Sequence, residues 1–124
     1  MKQTLIIPFK LPGMNEIIAA AHSRQGRYSS YGKMKKQHGL AIILLIKTQG
    51  LTPISSPADF VFHWSEKRRN RDLDNIVSGR KFVLDALVDA GILKGDGWKQ
   101  INGFRDCFYS GVKDEVRVEI NYLI

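Results

Sequence analysis

The stretch that decides the fold is "ADFVFHWSEKRRNRDLDNIVSGRKFVLDALVDAG", residues 58–91, in which a strand pattern, a charged run and a helix pattern follow one another. Phe60, Phe62 and Trp64 stand at alternate positions, which is the period of a strand with one buried face. Over residues 74–90 the apolar residues return at helical spacing, and the glycine that follows supplies a C-terminal stop. A strand and a helix are therefore predicted on either side of the charged run.

Outside this stretch the sequence predicts three further strands and one further helix. The segments "QTLIIP", "QINGFRDCFY" and "DEVRVEINYL" have strand character, and residues 31–49 form a helical pattern that stops at Gly50. The segment "LPGMN" contains a proline, a glycine and an asparagine, which are typical of a turn, and we expect a loop to follow it. The order strand, helix, strand, helix, strand, strand predicts one α+β domain over residues 1–124, with a mixed sheet of about four strands and two main helices.

Length and composition are those of an ordinary folded domain. The chain has 124 residues, of which 44% are hydrophobic and 25% charged. Its longest apolar run is too short to cross a bilayer, and its N-terminus lacks a secretory core, so we expect a cytoplasmic protein with no membrane partner. The single cysteine, Cys107, excludes an internal disulfide and any zinc site made of several cysteines.

The charge balance points to a polyanionic partner. The formal net charge is +7, and such a field attracts nucleic acid, although a basic protein with merely solvated lysines is the alternative. Four cations cluster in "KRRNR", namely Lys67, Arg68, Arg69 and Arg71, and we predict that they hold DNA phosphates.

Three carboxylates are candidates for a metal site. Asp72 and Asp74 directly follow the basic run, and Asp96 lies between two glycines in a tight loop after the predicted helix. If they meet, carboxylates about 4 Å apart repel by roughly 4 kcal/mol at an effective dielectric near 20, so a cation must lie between them. Oxygen ligands without histidine or cysteine select Mg²⁺ or Mn²⁺. The alternative is that Asp74 caps the helix and Asp72 is a solvated surface residue.

A helical wheel adds one polar stripe to this group. On a continuous helix Asp74, Ser78, Lys81 and Asp85 fall on one side, at steps of four, three and four residues. The stripe would let Lys81 approach a phosphate held beside the acids, because long side chains lean toward the helix N-terminus. The alternative is a solvated face with an ion pair between Lys81 and Asp85.

The segments "RRNRDLDN", "LDALVDAGIL" and "GDGW", with "LPGMN" near the start, together resemble the RusA family of Holliday junction resolvases. The resemblance implies a small homodimeric endodeoxyribonuclease that cuts four-way DNA junctions symmetrically with Mg²⁺ or Mn²⁺, in DNA recombination and repair. It implies that Asp72, Asp74 and Asp96 are the catalytic, metal-binding acids and that Lys81 is the catalytic cation. The interval between Asn75 and Asp85 is about three residues longer than in the best-known members, which leaves Arg80 as the neighbouring candidate.

Three functions compete on this sequence: an endonuclease of branched DNA, a non-catalytic nucleic-acid-binding module, and a metal-dependent nuclease of broader range. Other chemistries lack their signals, because there is no phosphate loop of the G-x-x-x-x-G-K type, no H-E-x-x-H motif and no ligand spacing among the histidines. Trp64 and Trp98 either stack on unpaired bases or pack at an end of the sheet.

Overall fold

A four-stranded mixed sheet organises the chain, in a computed structural model that describes residues 1–25 and 28–123. In chain order the elements are β1 (Lys2–Ile7), α1 (Met14–His22), β2 (Arg24–Gln25), β3 (Tyr28–Ser29), α2 (Ser30–Thr48), β4 (Ala58–Glu66), α3 (Leu73–Val77), α4 (Arg80–Asp89), β5 (Ile101–Ser110) and β6 (Glu115–Tyr122). The α+β class and the mixed sheet predicted from the sequence are confirmed.

The strand order of the main sheet is β1-β6-β4-β5. Strand β4 runs parallel to β5 and antiparallel to β6, and β1 runs antiparallel to β6. Parallel neighbours need a crossover connection, and α3 and α4 supply it between β4 and β5. The carboxyl ends of these two strands consequently lie side by side, with Glu66 opposite Ser110.

The predicted alternation of the central strands is confirmed by their burial. Phe60, Phe62 and Trp64 of β4 are almost fully buried, and so are Val118 and Ile120 of the neighbouring β6. Intervening residues on both strands face the side of the sheet that carries no helix and are less buried. The hydrophobic core thus lies between one face of the sheet and the helices.

The first predicted helix is confirmed within one residue at each end, as α2. Ile42 and Ile46 on α2 are buried in the core, and Gly50 ends the segment with a φ of 74°, the left-handed conformation that favours glycine. At 19 residues α2 is the longest helix of the described chain. No helix there is long and apolar enough to cross a membrane.

The second predicted helix is not continuous, so that prediction was wrong in one respect. Hydrogen bonds of the i→i+3 type, from Gly79 N to Ile76 O and from Phe82 N to Gly79 O, both 3.1 Å, separate α3 from α4. A Cβ at Gly79 would lie 2.9 Å from Cβ of Leu11 and 3.3 Å from the Trp64 ring. Close packing against the core therefore accompanies the tighter turn at this point.

The prediction of a loop after "LPGMN" is wrong, because α1 begins within that segment and occupies the residues that follow it. The Glu16 carboxylate accepts a hydrogen bond from Gly13 N at 3.1 Å, which satisfies one donor at the helix start. A second donor, Asn15 N, reaches Oδ1 of Asn75 at 2.9 Å, 60 residues further along the chain. Beyond α1, β2 and β3 form a small antiparallel ribbon.

Candidate nucleic-acid and metal site

Arg71 is an internal ion-pair residue, which corrects its assignment to the DNA-binding cations. Its Nε donates to Glu66 Oε1 at 3.1 Å, and its Nη2 donates to the other oxygen of the same carboxylate. Its Nη1 donates to the Leu11 carbonyl at 3.0 Å and lies 3.4 Å from Oε1 of Glu16. The Arg71 and Glu66 side chains are only 8% and 9% exposed, so the guanidinium is not free to meet a phosphate.

The electrostatics of Arg71 follow from these partners. Burial lowers the pKa of the guanidinium, but the hydrogen bonds and charges of Glu66 and Glu16 outweigh it and hold the pKa above its ordinary value. Arg71 therefore stays charged, and the carboxylate of Glu66 at the end of β4 is neutralised within the protein.

The segment between Arg71 and Asn75 is held against the start of α1. A Cβ on Gly13 would lie 2.5 Å from Oδ1 of Asn75 and 2.8 Å from Nη1 of Arg71, so only a glycine allows this approach. Asn75 is also buried, and its side chain accepts the Asn15 amide. Both ends of the D-L-D segment are thus fixed by long-range contacts.

Asp72 and Asp74 lie between these two anchors and are both exposed. Asp72, and not Asp74, is the N-cap of α3, and its carboxylate makes no capping hydrogen bond. Asp74 lies in the first turn, where its Oδ1 accepts the amide of Asn75 at 3.0 Å. The positive end of a helix favours negative charge at both positions, and most carboxylate oxygens of the pair remain open to solvent or a ligand.

Three of the four predicted cations are free to bind a polyanion. Lys67, Arg68 and Arg69 are exposed, and none forms an ion pair with any residue that the structure describes. Asp114 accepts a hydrogen bond from the Lys67 amide at 2.9 Å, which ties this loop to the turn between β5 and β6. The cations therefore extend from a fixed loop next to the two acids.

Asp96 does not join the other two acids within one chain. It is exposed in the loop after α4 and lines a shallow cleft of about 190 Å³ together with Lys35, Asp85 and Asp89. Along the chain Asp96 is separated from α3 by the ten residues of α4, which rise by about 15 Å. Across residues 1–25 and 28–123, no three histidine, cysteine or acidic side chains are grouped as a metal centre requires. Mg²⁺ commonly takes one or two carboxylates and keeps several waters, so Asp72 and Asp74 remain the predicted metal ligands.

Lys81 and Arg80 have different surroundings. The Lys81 side chain is 58% exposed, and its Nζ lies 3.9 Å from Oδ2 of Asp85, the ion pair that was the alternative to a catalytic role. Arg80 lies 3.2 Å from the carboxylate of Asp106 and stacks over the Phe104 ring at 4.6 Å. The catalytic role of Lys81, with Arg80 as the alternative, stays a prediction.

The two tryptophans divide between the two predicted roles. Trp64 is 2% exposed, packs in the core and donates its Nε1 hydrogen to Asp106 at 2.8 Å. Trp98 is fully exposed in the loop that carries Asp96, so it does not pack at an end of the sheet. Stacking of a base on a fully exposed ring remains a prediction for Trp98.

A polar network that the sequence did not reveal crosses the helix-free face of the sheet. His63 Nδ1 lies 2.9 Å from the Tyr109 hydroxyl, and its Nε2 lies 3.4 Å from Oε2 of Glu119. The close contact with His63 lowers the pKa of Glu119 below its ordinary value. Three different strands contribute these residues, so no local sequence signal could have predicted the network.

No protein-family model matches the chain, and no curated protein matches it. The resemblance to the RusA family therefore rests on the motif residues themselves.

Proposed function

We propose that the protein is a metal-dependent endodeoxyribonuclease that acts on branched DNA, with the four-way junction as its substrate. The observation that carries the proposal is the pairing of two open carboxylates, Asp72 and Asp74, with three cations on an adjoining loop that have no ion-pair partner among the described residues. A phosphodiester backbone needs the cations, and a cleavage reaction needs the acids.

Each group has a definable task in this proposal. Lys67, Arg68 and Arg69 hold phosphates, while Asp72 and Asp74 hold Mg²⁺ or Mn²⁺ beside the scissile phosphodiester. A metal ion held by Asp72 and Asp74 would supply an activated water and a positive charge to offset the charge that builds up on the phosphate oxygens. The ion pair of Arg71 and Glu66 keeps the two acids in place, which is a positioning role.

Two related cuts in a four-way junction call for two active sites related by a two-fold axis, so we infer a homodimer. Asp72 and Asp74 lie before the N-terminal end of α4, and Asp96 lies after its C-terminal end. If Asp96 belongs to the same metal centre, its carboxylate therefore has to come from the second chain. The dimer would then complete each site and align the two cuts.

Mixing two inactive variants tests this arrangement. Asp72→Asn chains and Asp96→Asn chains are each expected to be inactive alone. In a mixed dimer, sites shared between chains leave one site with all its acids, so nicking of the junction returns. Sites made within one chain would give no recovery, because each chain of the mixed dimer would carry one defect.

A second function, a non-catalytic nucleic-acid-binding module, is favoured by one observation. No third acid accompanies Asp72 and Asp74 among the described residues of a single chain. In that case the two acids only cap α3 and improve solubility, and Lys67, Arg68 and Arg69 account for all of the function.

Cleavage of a synthetic four-way junction with and without Mg²⁺ distinguishes the two functions. Asp72→Asn and Asp74→Asn should abolish cleavage and leave junction binding intact or tighter, since each removes a metal ligand and a repulsive charge. Asp59→Asn is the matched control, an exposed acid at the opposite end of β4. Ca²⁺ should support binding with little cutting. Cleavage that persists in both variants would refute the proposed metal site.

A further inference from the structure

An apolar pocket of about 270 Å³ opens beside the acid pair. It lies at the carboxyl ends of the parallel strands β4 and β5, below α3. Trp64, Leu73, Ile76 and Phe108 give it apolar and aromatic walls, and Arg68 and Arg69 also line it.

The pocket combines exposed apolar side chains with charged neighbours. Leu73 is 55% exposed although it stands between Asp72 and Asp74, and its side chain lines the pocket. Phe108 is half-buried in the opposite wall. Apolar walls with two cations that lack partners in the described chain complement a ligand with a flat apolar body and an anionic end.

We propose that this pocket receives one unstacked nucleobase, while Arg68 and Arg69 contact the phosphates that flank it. The inference rests on the proposed function, because the phosphodiester beside that base would then lie at Asp72 and Asp74. The volume is below the range of about 300–1,000 Å³ typical of sites for drug-sized ligands, which suits a single base. Unpaired bases at a branch point cost the least to unstack.

Mononucleotide binding tests the pocket independently of cleavage. In a Trp98→Phe background Trp64 is the only tryptophan, and its ring lines the pocket. Deoxycytidine monophosphate should quench its emission and bind about 5- to 150-fold more tightly than deoxyribose 5-phosphate, the range for stacking one base. Equal affinity for the two compounds would overturn the proposal, since only the cations would then be binding.

A filling variant separates the pocket from the rest of the surface. Ser110→Leu adds bulk at an exposed pocket residue and should abolish the preference for the nucleotide over the sugar phosphate. Val112→Leu is the control, because Val112 is 93% exposed and lies outside the pocket. If Ser110→Leu changes the oligomeric state and leaves nucleotide binding intact, a second copy of the chain occupies the pocket and the proposal is wrong. Loss of junction cleavage alone would bear on the proposed function only.

Discussion

Replacing Arg71 by methionine should destabilise the protein strongly, although the sequence places this residue in a surface cation run. The change leaves the Glu66 carboxylate, 9% exposed, without its guanidinium partner, and it also removes the donor to the Leu11 carbonyl. Breaking a buried ion pair from one side costs about 3–5 kcal/mol. Domains are typically stable by only about 5–15 kcal/mol, so a large share of the stability is at risk.

Urea unfolding followed by circular dichroism measures this loss directly. At this chain length each kcal/mol corresponds to roughly 3–6 °C in Tm, so a loss of about 3–5 kcal/mol should make Arg71→Met melt roughly 9–30 °C lower. Arg69→Met is the matched control and should stay within about 0.5 kcal/mol of the native protein, since Arg69 is exposed and unpaired in the described chain. A double variant, Arg71→Met with Glu66→Met, should regain much of the loss, because apolar replacement of a whole buried pair is often neutral.

The salt dependence of junction binding gives the second readout. Removing Arg68 or Arg69 should each reduce the slope of log affinity against log salt by about 0.9, whereas Arg71→Met, measured well below its Tm, should leave the slope unchanged. The reasoning is refuted if Arg71→Met is no less stable than Arg69→Met and reduces the slope by the same amount. Arg71 would then be a phosphate contact.

Three further predictions concern the helical crossover and the open face of the sheet. Lys81→Ala should lower the cleavage rate by about 10²- to 10³-fold with little change in affinity for the junction. Arg80→Ala should lower Tm and leave the cleavage rate largely unchanged. If the two variants show the opposite effects, Arg80 is the catalytic cation. Gly79→Ala should lower the free energy of unfolding by urea by about 1–3 kcal/mol, because an added Cβ has no room there. Gly39→Ala, in open space within α2, should raise it by up to about 1 kcal/mol. Equal effects of the two substitutions would contradict this reasoning. Because folding lowers the pKa of Glu119, its ionised carboxylate stabilises the fold at pH values above 4.5, the ordinary pKa of the group. This stabilisation is lost as the pH falls through the pKa of the folded state. Glu119→Gln should therefore melt below the native protein at about pH 6, and the difference in Tm should shrink as the pH falls below 4.5; a constant difference would exclude the link.

The main elements of the fold were predictable because their signals are local. The alternation of Phe60, Phe62 and Trp64 fixes which face of β4 is buried, since successive side chains of a strand point to opposite sides. The ends of the two predicted helical segments were equally readable, because Gly50 and Gly91 both adopt positive φ. Neither feature depends on a distant partner.

The missed features all depend on residues far apart in the chain. Helix α1 receives part of its N-terminal capping from Asn75, and the turn between α3 and α4 is packed against Leu11 and Trp64, so propensity alone could not predict either. For the same reason the D-L-D acids were recognisable as candidates, but the position of Asp96 relative to them depends on the course of α4.

The sequence by itself determined the α+β class, the strand faces, the net charge and the candidate acids and cations, because composition and periodicity are properties of neighbouring residues. The tertiary structure alone decided which cation is internal. Arg71 has the same chemistry as Arg68 and Arg69, and the sequence gives all three the same surroundings. Only folding brings Leu11 and Glu16 to the guanidinium beside Glu66, and a charge removed from water is held by such partners instead of by a ligand.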